Sequence, residues 1–280
     1  MKGRRGLVMG VANDHSIAWG IARVLAAQGA ELAFTYQGEA QAKRLRGLVG
    51  GDGNATMMLP GDVEKDDELD SAFAALKREW GGLDFLVHAI AFTDRDALKG
   101  RYVDTSRANF NRTMDISCYS FTAVAQRAAQ LMTPPARGGS GGSLVTLSYL
   151  GAQRVMPNYN VMGVAKAALE SSVRYLAADL GRDGIRVNAI SAGPMRTLAG
   201  SAVGDARMVF KWNKAHNPLK RSLELDHVGG AALYLLSDLS GGVTGEVHFV
   251  DSGYNIVGMP QTGDLKGWVG EEGEKANAQA

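Results

Sequence analysis

Residues 6–37, GLVMGVANDHSIAWGIARVLAAQGAELAFTYQ, contain the pattern from which the fold follows. GLVMGV (6–11) is a short apolar run, ANDHS breaks it, the next segment has a helical apolar period, and ELAFTYQ (31–37) is a second short apolar run. A strand, a glycine-bearing turn, a helix and another strand make the opening unit of a parallel sheet. The alternation continues outward in ATMMLPGD (55–62), LDFLVHAIAF (83–92), SLVTLSY (143–149), IRVNAISAG (185–193) and EVHFVDSG (246–253). Between the third and fourth runs, Leu69, Phe73, Leu76 and Trp80 recur at i, i+4, i+7 and i+11, a stripe that Gly81 and Gly82 end.

Near-continuous apolar strands separated by helices require a sheet covered on both faces. About seven of them in this order give an α/β, doubly wound, Rossmann-type domain with parallel strands. No linker divides the 280 residues, so residues 1–257 read as one catalytic-size domain and 258–280 as a polar, loosely ordered C-terminal tail. PPARGGSGGS (134–143), just before a core run, reads as a flexible loop leading into it.

Composition narrows the class. A formal net charge of +1 with 21% charged residues gives no electrostatic footprint for nucleic acid. Cys118 is the single cysteine and the five histidines lack metal-ligand spacing, so neither a disulfide scaffold nor a metal site is expected. The apolar run after the basic N-terminus is too short for a secretory signal, and no stretch reaches a membrane-spanning length. A cytoplasmic protein is the expectation.

In a doubly wound sheet a ligand lies beyond the carboxyl ends of the strands, where strand order reverses. G-x-G-x-x-G is absent after the first run: Gly10 and Gly20 are present, with Ser16 and Ile17 between. Gly10 still permits a tight exit, and Ser16 is expected to cap a helix starting near Ile17 whose free N–H groups face a pyrophosphate. Gln37 ends the second strand without an adjacent basic residue, Lys43 and Arg44 coming later, which favours NADH over NADPH. Asp62 and Val63 follow the third strand where an adenine ring would lie.

NYNVMGVAKAALES (158–171) places Tyr159 seven residues before Lys166, with Tyr149 at the end of the fifth run. A free phenol has a pKa of about 10 and is a poor proton donor near neutrality. A nearby lysine cation is expected to lower that barrier.

These segments resemble the short-chain dehydrogenase/reductase superfamily and, more closely, its bacterial NADH-dependent enoyl-acyl-carrier-protein reductases. The resemblance runs from Gly6 to about Val257 and is carried by GVANDHSIAWGIA, HAIAF, SYLGAQRVMPNYNVMGVAKAALE, RVNAISAGPMRTLAG and VTGEVHFVDSGY. It implies Tyr159 as the catalytic tyrosine on the substrate carbonyl, Tyr149 as a second active-site tyrosine and Lys166 as holder of the nicotinamide ribose. It further implies cofactor contacts at Gly10, Ser16, Ile17, Gln37, Asp62, Val63 and Ile90, and along Met195, Arg196, Thr197, Leu198 and Ala199. Thr93 is implied as a substrate contact, although Ala91, Thr93 and Asp94 depart from the family pattern. NADH as cofactor, an acyl-carrier protein bearing the substrate, and a homotetramer complete what the resemblance implies. Strand 246–253 and the helices around 106–132 and 160–181 are the expected subunit contacts.

Ketone reductases of the superfamily use Tyr-x3-Lys, whereas here the interval is Tyr-x6-Lys and Met162 occupies the nearer position. Hydride addition to C3 of a trans-2-enoyl thioester puts charge on a more distant oxygen, and three residues of helix shift a side chain by about 4.5 Å. The alternatives are a short-chain ketone or alcohol dehydrogenase and a non-catalytic dinucleotide-sensing protein. Asp115, His88 and Cys118 read as structural. Met208, Phe210 and Trp212 are candidate acyl-channel residues, and Arg207, Lys211 and Lys214 candidate carrier-protein contacts.

Overall fold

The computed structural model describes residues 1–50, 55–132, 141–197, 200 and 206–260. Strands β1 (Arg5–Met9), β2 (Glu31–Tyr36), β3 (Ala55–Pro60), β4 (Phe85–His88), β5 (Gly142–Ser148), β6 (Ile185–Ala192) and β7 (Val247–Val250) form a single seven-stranded sheet. Its order is β3-β2-β1-β4-β5-β6-β7 and every pair is parallel. Strand order reverses at β1, which lies between β2 and β4 and so opens a crevice at their carboxyl ends.

Alternate residues of each strand serve opposite cores. Leu7 and Met9 pack with Leu69, Leu76, Phe121 and Leu169 of helices α3 (Asp66–Trp80), α5 (Ser120–Ala129) and α6 (Asn160–Leu180). Val8 points the other way, joining Ile21, Leu25, Leu45 and Leu235 of α1 (Ile17–Ala27), α2 (Glu39–Val49) and α8 (Leu225–Leu236). Burial of such an aliphatic side chain stabilises by roughly 1.5–3 kcal/mol, and the period of two is why the strands read as continuous apolar runs.

Helix α3 follows its expected limits. Asp66, Asp67 and Glu68 occupy its first turn, Lys77 and Arg78 its last, and Gly81 closes it at φ 72°. Two expectations need correction. The run 83–92 is strand only over Phe85–His88, because β1 ends when Gly10 turns away; Ile90 to Thr93 leave the ladder and line the cleft instead. The expected helix over 106–132 is α4 (Arg107–Met114), a π-helical turn (Asp115–Tyr119) and α5, in sequence. That turn faces Ser117 to the Phe92 backbone, donating to its carbonyl and accepting from its N–H. Most of 134–143 and the tail from 261 onward lie outside the described residues. Among the described residues no helix is long and apolar enough to cross a membrane, and no acid, histidine or cysteine cluster is arranged to hold a metal ion.

Candidate active site

A cleft of about 650 Å3 runs along the carboxyl ends of β1, β4 and β5, a size that accommodates a dinucleotide and part of a substrate. At one end the chain leaves β1 through Gly10 at φ 96°, where a Cβ would lie 2.1 Å from the Ala89 carbonyl oxygen. Only glycine fits that approach between β1 and β4. Gly20 serves packing: a Cβ there would lie 2.6 Å from Cβ of Leu225 on α8.

Ser16 occupies the N-cap of α1 but does not cap it with its side chain. Its hydroxyl turns backward, accepting from the Ala12 and Asn13 N–H groups at 3.0 and 2.9 Å and donating to the Asn13 carbonyl at 2.7 Å. The expected cap is thus replaced by a knot that fixes the 12–16 loop. The first N–H groups of a helix have no intrahelical partner, and here no Ser16 side chain covers them. Ile17 and Ala18 line the cleft at this point, a cradle suited to a pyrophosphate.

The adenosine corner is built by β2 and β3. Gln37 donates from Nε2 to Asp62 at 3.0 Å, and its N–H donates to Gln41, whose own amide reaches the Val11 carbonyl. Glu64 forms a two-armed pair with Arg112 of α4, whose guanidinium lies 4.4 Å from the Phe92 ring centroid. Lys43 and Arg44 point to solvent, so the corner at Gln37 and Asp62 presents no free cation to a 2'-phosphate, Arg112 being paired with Glu64. Gln41 and the Glu64–Arg112 pair escape sequence reasoning, because each acts through residues far along the chain.

At the other end, Tyr149 and Tyr159 face each other with centroids 4.9 Å apart and ring planes at 70°. Tyr159 is the N-cap of α6 and not a member of the helix. Asn158 and Asn160 flank it at φ 56° and 34°, a left-handed geometry that asparagine tolerates better than most residues. The displacement from the Met162 position is therefore set by a turn, and a simple helical rise of three residues does not describe it. Asn160 Nδ2 donates to the carbonyls of Ala97, Lys99 and Gly100, tying the tyrosine's turn to the loop before α4. The ring of Tyr159 needs Gly151, where a Cβ would fall 2.3 Å from its Cδ1.

Lys166 is 6% exposed, and its Nζ donates to the Leu147 carbonyl at 2.6 Å. Burial lowers its pKa to about 8, against the opposing influence of Cys118 and Glu170. Burial raises the Tyr159 phenol well above its usual value, with Tyr149 and Glu170 acting in the same direction. Tyr149 is pushed up to about 12, again chiefly by burial. The Lys166 ammonium donates to the Leu147 carbonyl, and the influences that act on the phenol from within the chain all push it upward. Tyr159 is a neutral hydrogen-bond donor.

Of the remaining candidates, Val63, Ile90, Met195 and Thr197 line the cleft. Arg196 is exposed and does not, while Leu198 and Ala199 lie outside the described residues. Thr93 lines the cleft with its hydroxyl engaged by Thr113 and Asn109. On α7 (Ala206–His216), Phe210 faces the cleft, but Met208 is 60% exposed on the opposite face and Trp212 donates to the Tyr254 hydroxyl. Met162 packs with Leu98 and Ala165. His88 is fully buried between Thr146 and Ser120, its pKa lowered to about 3 by burial and by Lys166. Asp115 is exposed, away from the cleft.

A family model described as enoyl-(acyl carrier protein) reductase matches residues 10–255. The NADH enoyl-acyl-carrier-protein reductase 2 of Rhizobium meliloti is 62% identical over 260 residues, covering 93% of this chain and 94% of that protein. The corresponding Rickettsia bellii protein is 52% identical, with 92% and 96% covered. Among solved structures, the Anaplasma phagocytophilum reductase in complex with NAD superposes with a TM-score of 0.88 at 56% identity, covering 94% of this chain and 97% of that one. The protein from Candidatus Liberibacter asiaticus gives 0.89 at 55%, with 93% and 98% covered.

Proposed function

The chain belongs to the enoyl-(acyl carrier protein) reductase family, and from that premise we propose that it reduces the C2=C3 bond of a trans-2-enoyl thioester on acyl-carrier protein with NADH. This is the reductive last step of a fatty acid elongation cycle. The observation that carries the reading is the pairing of Tyr149 with Tyr159 above a buried Lys166, with thioether Met162 where a ketone reductase has its proton donor.

The cleft fits the dinucleotide: Gly10 allows the close approach, the open first turn of α1 suits a pyrophosphate, and the Gln37 amide with the Asp62 carboxylate suits a free ribose hydroxyl. When bound, NADH supplies the hydride that C3 receives. Tyr159 donates its O–H to the thioester oxygen as negative charge grows there. Because its phenol is held neutral, it stabilises the enolate by a hydrogen bond in a water-poor site, and the enolate then collapses as C2 takes up a proton to give the saturated thioester. Such a donor is typically worth about 3 kcal/mol. Tyr149 lines the acyl side and holds the Tyr159 ring edge-on. Lys166, which lines the cleft and is an ammonium below its pKa of about 8, would hold the ribose hydroxyls of the nicotinamide. Thr93 offers backbone to the substrate, since its hydroxyl is already engaged.

Residues 1–257 act as one catalytic domain in this reading, supported by the family model's span of 10–255. A cytoplasmic homotetramer completes it, supported by exposed Tyr119 and Tyr175 on the π turn and α6.

The test compares crotonyl and acetoacetyl thioesters, each with NADH and with NADPH. Rapid NADH oxidation by the crotonyl substrate is expected. Faster oxidation by the keto substrate would assign a ketone reductase, and tight NADH binding without turnover on either would assign a sensor.

A further inference from the structure

Beneath the tyrosine pair lies a buried acid that the chemistry above does not use. Glu170 is 5% exposed, one helical turn beyond Lys166 on the same face of α6. Its Oε1 accepts from the Ser148 hydroxyl at 2.6 Å and its Oε2 from Gln153 Nε2 at 3.1 Å. Two acceptor contacts are the arrangement that an ionised carboxylate takes. The two buried ions grip consecutive residues of β5: Lys166 holds the Leu147 carbonyl, and Glu170 holds the Ser148 side chain. Tyr149 comes next in the chain, and Gln153 ends the short turn that contains Gly151, the seat of the Tyr159 ring.

We propose that Glu170 is a positioning residue for the reduction: its carboxylate is the counter-charge that keeps buried Lys166 an ammonium, and through Ser148 and Gln153 it anchors the segment bearing Tyr149 and Gly151 to α6. This rests on the reading of Lys166 as the nicotinamide-ribose residue. Cys118 and His88 feel the Lys166 charge and Tyr149 and Tyr159 line the same cleft, and none of the four carries a charge near neutrality. Burial raises the Cys118 thiol on the π turn, His88 on β4 is lowered to about 3, and Tyr149 and Tyr159 are raised. Among the described residues around it, Glu170 is therefore the group that can offset the lysine's charge. An ammonium taken into a site of low dielectric is costly unless such a partner is present.

The test is a pH series of NADH affinity, read by nucleotide fluorescence from pH 6.5 to 9.5, alongside steady-state turnover of crotonyl thioester. In the native chain NADH affinity falls on the alkaline side as Lys166 loses its proton near about 8. In Glu170→Gln, which keeps size and one acceptor oxygen and turns the other into a donor that the Ser148 hydroxyl can accept, that fall moves about one pH unit lower, so NADH binds about tenfold more weakly at pH 9 and near normally at pH 6.5. Glu170→Asp restores the limb. Ser148→Ala keeps the charge and loses one anchor: the limb stays in place while KM for the enoyl thioester rises.

A Glu170→Gln limb that does not move, or weakening equal at every pH, would overturn the proposal. A downward move in Ser148→Ala would do the same even if Glu170→Gln did not fold. Lys166→Met separates the two readings: it is expected to abolish the limb. If it binds NADH with the native pH profile, the assignment of Lys166 fails, and with it this one. If it abolishes the limb while Glu170→Gln leaves it unmoved, Glu170 alone is wrongly assigned.

Discussion

Tyr149 and Tyr159 meet edge to face, ring planes at 70° and centroids 4.9 Å apart, although nine residues of chain, a short 3-10 turn among them, separate them. The contact sets Tyr159 by its ring edge, and the two rings are buried enough for both phenols to stay protonated across the neutral range. Their positions are unequal: Tyr159 is the N-cap residue of the helix that carries Lys166, and Tyr149 follows the strand whose Leu147 carbonyl that lysine holds.

Tyr159→Phe removes the donor and retains the ring. Turnover of crotonyl thioester should fall by about 10²–10³-fold with NADH affinity within about twofold, because the change lies outside the nucleotide half. Tyr149→Phe keeps the edge contact and should cost much less. Steady-state kinetics with separate NADH titrations check both.

Gly151→Ala should mimic part of that loss without touching a tyrosine. The added methyl would lie 2.3 Å from Tyr159 Cδ1 and 3.3 Å from Tyr149 Cδ1, so the Tyr159 ring must move. A displacement of about 1 Å can cost on the order of 10²-fold in rate. The expected signature is reduced kcat with NADH affinity intact; unchanged kcat would show that Tyr159 does not need this seat.

Gly10→Ala tests the nucleotide end. It combines a φ of 96° with a Cβ 2.1 Å from the Ala89 carbonyl, so β1 and β4 must separate or the loop must rebuild. A loss of stability on the order of 1–3 kcal/mol and a large loss of NADH affinity are expected, read by thermal melting and fluorescence titration.

His88 makes folding stability pH-dependent below neutrality. Burial, aided by Lys166, lowers its folded pKa to about 3, whereas the unfolded chain has the ordinary value of 6.5. Between those values the unfolded state binds more protons, so this contribution is complete above about pH 6.5 and is lost progressively as pH falls towards 3. Denaturant melts from pH 7.5 to 4 should show His88→Asn with a lower maximum and a shallower acid slope than the native chain. Parallel slopes would assign the acid sensitivity to other groups.

The first three strands and α3 were legible because their information is local: apolar period, a polar break, acids in the first turn and glycine after the last. The tyrosine and lysine positions were legible for the same reason, as a spacing within one segment. What escaped was the direction of individual hydrogen bonds. Ser16 reads as a helix cap, yet its hydroxyl turns back to Ala12 and Asn13. The asparagines beside Tyr159 take left-handed backbone and place the phenol before the helix. The Glu64–Arg112 pair joins residues 48 apart, and Met208 reads as a channel residue although α7 turns it outward.

The order of strands and helices, the turn at Gly10 and the family of the chain were determined by the sequence itself, because each rests on short-range periodicity and residue type. The electrostatic state of the site was decided by tertiary packing. Burial of Lys166 against Leu147, of Tyr159 against Tyr149 and Gly151, and of Glu170 against Ser148 brings together groups from β5 and α6. Charge burial depends on what surrounds a group in three dimensions, and that shell exists only once the sheet and its helices have closed.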